Sequence, residues 1–235
     1  MHHLIDFNWK YKEETKKYIP IMKWFNFDNK EVTRIEVTNY DFKLKLSNTK
    51  TCIGYYDDVY HPCPAQGVLT NKQIQCSICS NLEGFKSAFF MGQKPNALMQ
   101  KHLSQKHYLY LAYFEPGIIK VGTAAESRKY IRPIEQDALI YAYIAESDGF
   151  NIQKLERYIS KNFAIPEYVR AAHKLKFLQQ HPNKDYAQEL IKSSVDRILS
   201  LFNKNNPQSF EYNLFKKDQI EIVDLSDLPP IYYPT

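Results

Sequence analysis

Four cysteines carry the clearest chemistry in this chain. Cys52, Cys63, Cys76 and Cys79 are separated by ten, twelve and two residues. The closing Cys76-Ser77-Ile78-Cys79 is a tight knuckle that sets two thiolates on one metal, and a hairpin between Cys52 and Cys63 would bring the other pair to it. Four thiolates in a tetrahedron suit zinc and leave no open position for chemistry. The expected role is therefore structural, with binding contributing folding energy directly. A redox Cys-x-x-Cys opens a helix within a βαβ unit, whereas this one follows a polar loop. A disulfide pair belongs to scaffolds of far higher cysteine density. Four unconnected core cysteines fit poorly with the stretch Asn48 to Gly92, which is rich in turn formers and needs an internal staple. His61, two residues before Cys63, is placed to substitute for a cysteine. His102 and His107, with no thiolates near them in sequence, make a weaker pair.

The bulk properties narrow the remaining classes. The 235 residues carry a net charge of +5, a mild basic bias that permits nucleic-acid binding without requiring it. Aromatics make up 14% of the chain, with 18 Tyr and 14 Phe, which serve either as stacking platforms or as core residues with polar tips. There are only 7 Gly, and neither GxGxxG nor GxxxxGK[ST] occurs, which removes the usual phosphate cradles. No run of about 18 apolar residues exists, so no membrane helix is expected. Met1 to Asp6 lacks the basic-then-apolar layout of a secretory signal, and the expected compartment is the cytoplasm.

The elements that must position these residues follow from periodicity. Ile35-Glu36-Val37 and Phe42 to Leu46 alternate around an Asn39-Tyr40-Asp41 turn, predicting a hairpin that leads into the cysteines. Tyr108 to Phe114 is a continuous apolar strand, Glu115-Pro116-Gly117 a turn, and Ile118 to Thr123 a second strand. Ala124 to Asp137 reads as helical and Ala138 to Ala145 as a third strand. Ile152, Leu155, Ile159 and Phe163 share one face of an amphipathic helix that Pro166 ends. Residues 167–180 are basic and read as helical up to His181-Pro182-Asn183. From Asp185 to Phe202, Ala187, Leu190, Ile191, Val195, Ile198, Leu199 and Phe202 form the stripe of a packed helix. One further alternating run, Gln219 to Val223, precedes Pro229 and Pro230.

The stretch Tyr108 to Phe114, then Ile119-Lys120-Val121-Gly122-Thr123, Arg132, Glu135-Gln136-Asp137-Ala138 and Leu155-Glu156 resembles the GIY-YIG endonuclease superfamily. Together with Cys52-Ile53-Gly54, His61-Pro62-Cys63-Pro64 and Gln75 to Cys79, it is similar to a bacterial family of unassigned function that joins a four-cysteine zinc ribbon to such a module. The likeness spans roughly residues 50–175, and its specificity lies in the cysteine-then-nuclease order, since each short motif alone is weak. It implies a three-stranded antiparallel sheet with flanking helices. Tyr110 falls at the tyrosine that helps activate water, Gly122 at the closing glycine, and Glu156 at the ligand of a single divalent metal. Arg128 or Arg132 would contact the scissile phosphate. Lys120 stands where the second-strand tyrosine is usual, and neither arginine has the usual spacing after Gly122.

The expected architecture is α+β, with an N-terminal β hairpin and zinc ribbon over 1–100. A GIY-YIG-like module over 101–165 and a helical extension over 166–235 follow. The expected activity is cleavage of DNA or RNA phosphodiesters with magnesium or manganese, beside a structural zinc. The alternatives are a non-catalytic nucleic-acid-binding module of the same fold and a zinc-stabilised protein adaptor. The cations Lys101, Lys106, Lys120, Arg128, Lys129 and Arg132 outnumber Glu115 and Glu126 in their stretch, an excess that fits phosphate contacts and equally a solvent-facing charged surface.

Overall fold

Three strands fill the N-terminal stretch of the computed structural model: β1 (His2–Lys12), β2 (Lys17–Asn26) and β3 (Glu31–Glu36). The model describes residues 2–37, 45, 47–57, 59–70, 73–83, 95–170, 172, 174, 183–204 and 211–226. The chain forms two units, Met1–Lys101 and His102–Thr235.

In the first unit β1, β2 and β3 make an antiparallel meander, with Ile5, Trp9, Ile21, Met22 and Phe25 buried. Val32 to Glu36 is thus the last strand of three and pairs backward onto β2, Phe25 standing opposite Val32. The expected hairpin instead paired this segment forward. Its Asn39–Asp41 turn and Phe42–Leu46 arm, Lys45 apart, lie outside the described residues. Charged residues hide the first two strands from a pattern reading because they pair within the sheet: Lys23 Nζ meets Asp6 at 2.8 Å. Beyond the meander come the ladder β4 (Tyr55–Tyr56) with β5 (Tyr60–His61), and the helix α1 (Ser77–Leu82). The helix α2 (Ala97–Leu103) crosses from the first unit to the second.

The second unit is built on β6 (Lys106–Phe114). A strand this apolar is stable only with both faces covered. It lies between β7 (Ile118–Ala125) and β8 (Ile140–Asp148), antiparallel to each. Two short strands, β9 (Asn213–Leu214) and β10 (Ile222–Asp224), complete the outer edge of β8. Between β7 and β8 the expected helix is largely absent. β7 runs on to Ala125, a 3-10 turn covers Glu126–Arg128, and α3 (Arg132–Glu135) is one turn long. Pro133, which cannot donate a hydrogen bond, suits the first turn of α3 but would interrupt a longer helix.

The helix α4 (Gly149–Phe163) starts on Asp148, whose carboxylate accepts from Asn151 N at 2.7 Å, and ends on Ala164 with φ 54°. Its face of Ile152, Leu155, Ile159 and Phe163 is buried against Leu109, Leu111, Val121 and Ile144. Each such side chain contributes roughly 1.5–3 kcal/mol. The helix α5 (Lys184–Lys204) lays Ala187, Ile191, Val195, Ile198 and Phe202 into the same core, with Leu190 and Leu199 partly buried beside it. The segment expected as a separate extension beyond 165 therefore shares the core of the sheet. Of the basic stretch 167–180, residues 167–170 are not helical, and most of the remainder lies outside the described residues. Among the described residues no helix is long and apolar enough to cross a membrane.

The opposite face of the sheet is aromatic. Pairing places Tyr110, Gly122, Ala112 and Lys120 on one side, and Tyr141 and Tyr143 join them from β8. A bulge makes this possible: Leu109 faces Ala145 but Tyr110 faces Tyr143, leaving Ile144 as the extra residue.

Candidate functional site

The cysteines of the first unit meet as expected. Their sulfurs all lie within 4.8 Å of one another and form a group that could hold a metal ion such as zinc. Antiparallel pairing draws the knuckle together: Cys52 N donates to Gly67 O at 2.8 Å, Ile53 N to Ile74 O at 3.1 Å, and the β4–β5 ladder returns the chain to Cys63. Gly54, at φ 86°, passes so close to His61 O that an added Cβ would sit 2.1 Å from it. Cys76 immediately precedes α1 and Cys79 lies within its first turn, so the knuckle opens a helix after all. Among the described residues no βαβ unit surrounds it, and it meets two further thiols. Cys63 and Cys76 sulfurs stand 3.7 Å apart. A tetrahedron with zinc–sulfur bonds of about 2.3 Å has edges of about 3.8 Å. Burial pushes the Cys52 and Cys79 thiols up, whereas the Cys79 backbone N–H lowers Cys76 to about 7. A divalent cation is what such a donor set needs in order to ionise together. His61 is not among the ligands; it bonds Asp57 at 2.9 Å and stacks on Tyr55. His102 and His107 meet edge to face at 5.0 Å, His107 Nδ1 lies 3.0 Å from Gln105 O, and among the described residues no third ligand joins them.

In the second unit Tyr110 lies on β6, Lys120 on β7, Arg132 on α3 and Glu156 on α4, and the charges of Arg132 and Glu156 bear on both Tyr110 and Lys120. The Tyr110 hydroxyl donates to Gln136 Oε1 at 2.9 Å, and Lys120 Nζ donates to the same oxygen. Tyr110 is 0% exposed and Lys120 7% exposed. Burial raises the Tyr110 hydroxyl, with Arg132 pulling the other way, so at neutral pH it is a hydrogen-bond donor and not a base. Burial first, then Arg132, lowers Lys120 to about 8, with Glu156 opposing. Burial first, then Glu167, raises Glu156 to about 7, with Lys120, Arg157 and Arg132 opposing. Burial thus lowers Lys120 and raises Glu156, and each is only partly compensated by the other.

Of the two arginine candidates, Arg132 acts electrostatically on Tyr110, Lys120 and Glu156 alike, whereas Arg128 acts among these three on Tyr110. Both lean on Glu135: Arg128 bonds its carboxylate directly, and Arg132 stands 3.6 Å from it. Gln136, Glu167 and Lys174 are the members whose roles the sequence did not disclose. Lys174 Nζ donates to the Gln136 carbonyl and lies 3.4 Å from Asp137. Val121 N donates to Pro166 O at 3.0 Å, which anchors the chain just before Glu167 along β7. Of these three, Gln136 alone lies within a stretch that carries the resemblance, Glu135-Gln136-Asp137-Ala138.

Gly122 is explained by the same packing. A Cβ there would lie 2.5 Å from Tyr110 Cζ and 2.6 Å from its hydroxyl. Because the ring is held by Gln136 and by edge-to-face contact with Tyr143 at 5.8 Å, it cannot yield freely. Gly122→Ala should cost about 1–3 kcal/mol of stability in urea unfolding. In a Tyr110→Ala background it should cost far less, and an equal cost in both backgrounds would refute the contact.

A pH effect follows from Glu156. Its carboxyl rises from an ordinary 4.5 to about 7 in the folded protein, so the native state holds this proton more tightly than the unfolded chain. That contribution is fully present below about pH 4.5 and is lost as pH rises through about 7. Without added divalent ions, Glu156→Gln should stabilise the protein at pH 8 by on the order of 1–3 kcal/mol and leave it unchanged at pH 4. Denaturation midpoints at the two pH values decide it; parallel shifts at both would contradict the reading.

Comparison with family models, with curated proteins and with solved structures returns no match.

Proposed function

We propose that the second unit is a divalent-metal-dependent nuclease acting on DNA or RNA phosphodiesters, and that the first unit carries a structural zinc on Cys52, Cys63, Cys76 and Cys79. One observation carries the catalytic part. Tyr110 and Lys120 converge on one oxygen, and the charges of Arg132 and Glu156 bear on both. Glu156, whose carboxyl feels the charge of Glu167, is the carboxylate that would hold magnesium or manganese. Two mutually repelling carboxylates favour a divalent ion, and magnesium needs only one or two of them. The bound ion would supply charge stabilisation at the departing oxygen. Arg132 would offset charge on the phosphate in the transition state, and the Tyr110 hydroxyl would orient one of its oxygens. Lys120, which donates to the same oxygen as Tyr110, would hold that phosphate oxygen beside it as an ammonium.

The test is metal-dependent nicking of supercoiled DNA and cutting of end-labelled RNA, with Glu156→Ala as the inactive control. A specific observation favours a second reading, non-catalytic binding: Gln136 occupies both polar groups of the β6–β7 pair. Salt-sensitive binding without cleavage under any metal would select it.

A further inference from the structure

We propose that the Gln136 side chain is a stand-in for a substrate oxygen. Its amide oxygen fills the position where the Tyr110 hydroxyl and the Lys120 ammonium converge, and an anionic phosphate oxygen displaces it. The proposal deepens the nuclease reading of the same site and rests on it for the identity of the ligand. Two donors aimed at one point define an oxygen-binding position, and a carbonyl-type oxygen with two lone pairs is saturated by them.

The donors are also held there by packing other than the Gln136 side chain. The Tyr110 ring lies between Gly122 and Tyr143, and Lys120 is buried on β7 across from Ala112. Gln136, by contrast, is only half buried, and its backbone is fastened independently of its side chain. Its carbonyl accepts from Lys174, its N–H reaches Pro133 O at 3.2 Å, and Asp137 turns the chain at φ 59°. Side-chain rotation alone therefore vacates the position. Without a ligand the amide keeps two buried donors satisfied, which would otherwise be costly. A phosphate oxygen, bearing charge, is the stronger acceptor for an ammonium and a phenol. The occupant is therefore a tetrahedral oxyanion of the phosphate class.

Calorimetric titration of the full chain with inorganic phosphate tests this. Gln136→Ala should tighten phosphate binding about tenfold, the scale of one hydrogen bond to a charged group. Adding Lys120→Met should remove the gain. Gln136→Glu should bind phosphate more weakly than wild type, since its carboxylate would pair with Lys120. Equal or weaker binding by Gln136→Ala, or no measurable phosphate binding by any form, would overturn the proposal. Should Gln136→Ala fail to fold, Gln136→Glu decides alone, and wild-type affinity in that variant is the overturning result. If phosphate affinities follow the expected order while no form cuts nucleic acid, the nuclease reading fails and the displaced oxygen stands. If wild type cuts and Gln136→Ala neither tightens phosphate nor cuts faster, the reverse holds.

Discussion

Stripping the metal from the four thiolates, or replacing Cys79 by serine, is expected to unfold the cysteine region while the second unit keeps its own melting transition. The cluster around the sulfurs contains Cys52, Cys63 and Cys79 as its buried members, with Tyr55, Leu69 and Cys76 partly buried against it. Those two larger side chains supply at most a few kcal/mol. Zinc bound by four thiolates would supply roughly 10–16 kcal/mol, and the metal would then take the place of an apolar core. The second unit has a cluster of aliphatic and aromatic side chains from its sheet and two helices and needs no such help. Elemental analysis should find one zinc per chain. Hydrogen exchange should show amides from Cys52 to Glu83 losing protection on chelation, with those of β6 unchanged. A metal-free protein in which Cys52 N and Ser80 N remain protected would end the idea.

The second large effect is on catalysis. Glu156→Ala should reduce metal-dependent cleavage beyond detection, and Arg132→Ala should slow it on the order of a hundredfold or more, the scale of losing a charge-assisted contact in the transition state. Arg128→Ala should do less, because its charge bears on Tyr110 among the central groups while that of Arg132 bears on all three. The electrostatics add a signature that a structural role would not produce. Above pH 7 the Glu156 substitution should raise stability while it removes activity, since a half-buried carboxylate held at about 7 is a cost to the fold. Rates from a single-turnover assay and midpoints from urea unfolding, taken on the same preparations, test both at once. Cleavage that survives Glu156→Ala would place the activity elsewhere.

What could be read from the sequence were features whose physics is local. The Cys-x-x-Cys spacing, the apolar run Tyr108 to Phe114 with its turn, and the stripes Ile152–Phe163 and Ala187–Phe202 each repeat a strand or helix period over consecutive residues. The structure buries these stripes in one core. Elsewhere local pattern misled. Lys10, Lys12, Lys17 and Lys23 obscured two strands whose charges are partly paired across the sheet, and Ala124 to Asp137 carries helix formers but is held as a 3-10 turn and one helical turn. Tertiary structure made that choice, because this segment must cover the tyrosine face and bring Gln136 onto Tyr110. The membership of the site was also decided only in three dimensions. Gln136, Glu167 and Lys174 are ordinary polar residues in sequence. They acquire meaning from one backbone bond, Val121 to Pro166, and from a one-residue bulge that turns Tyr143 toward Tyr110. Spacing along a chain sets which side chains share a local face. The water they lose, and hence the proton affinities of Lys120 and Glu156, depends on what the rest of the chain packs over them.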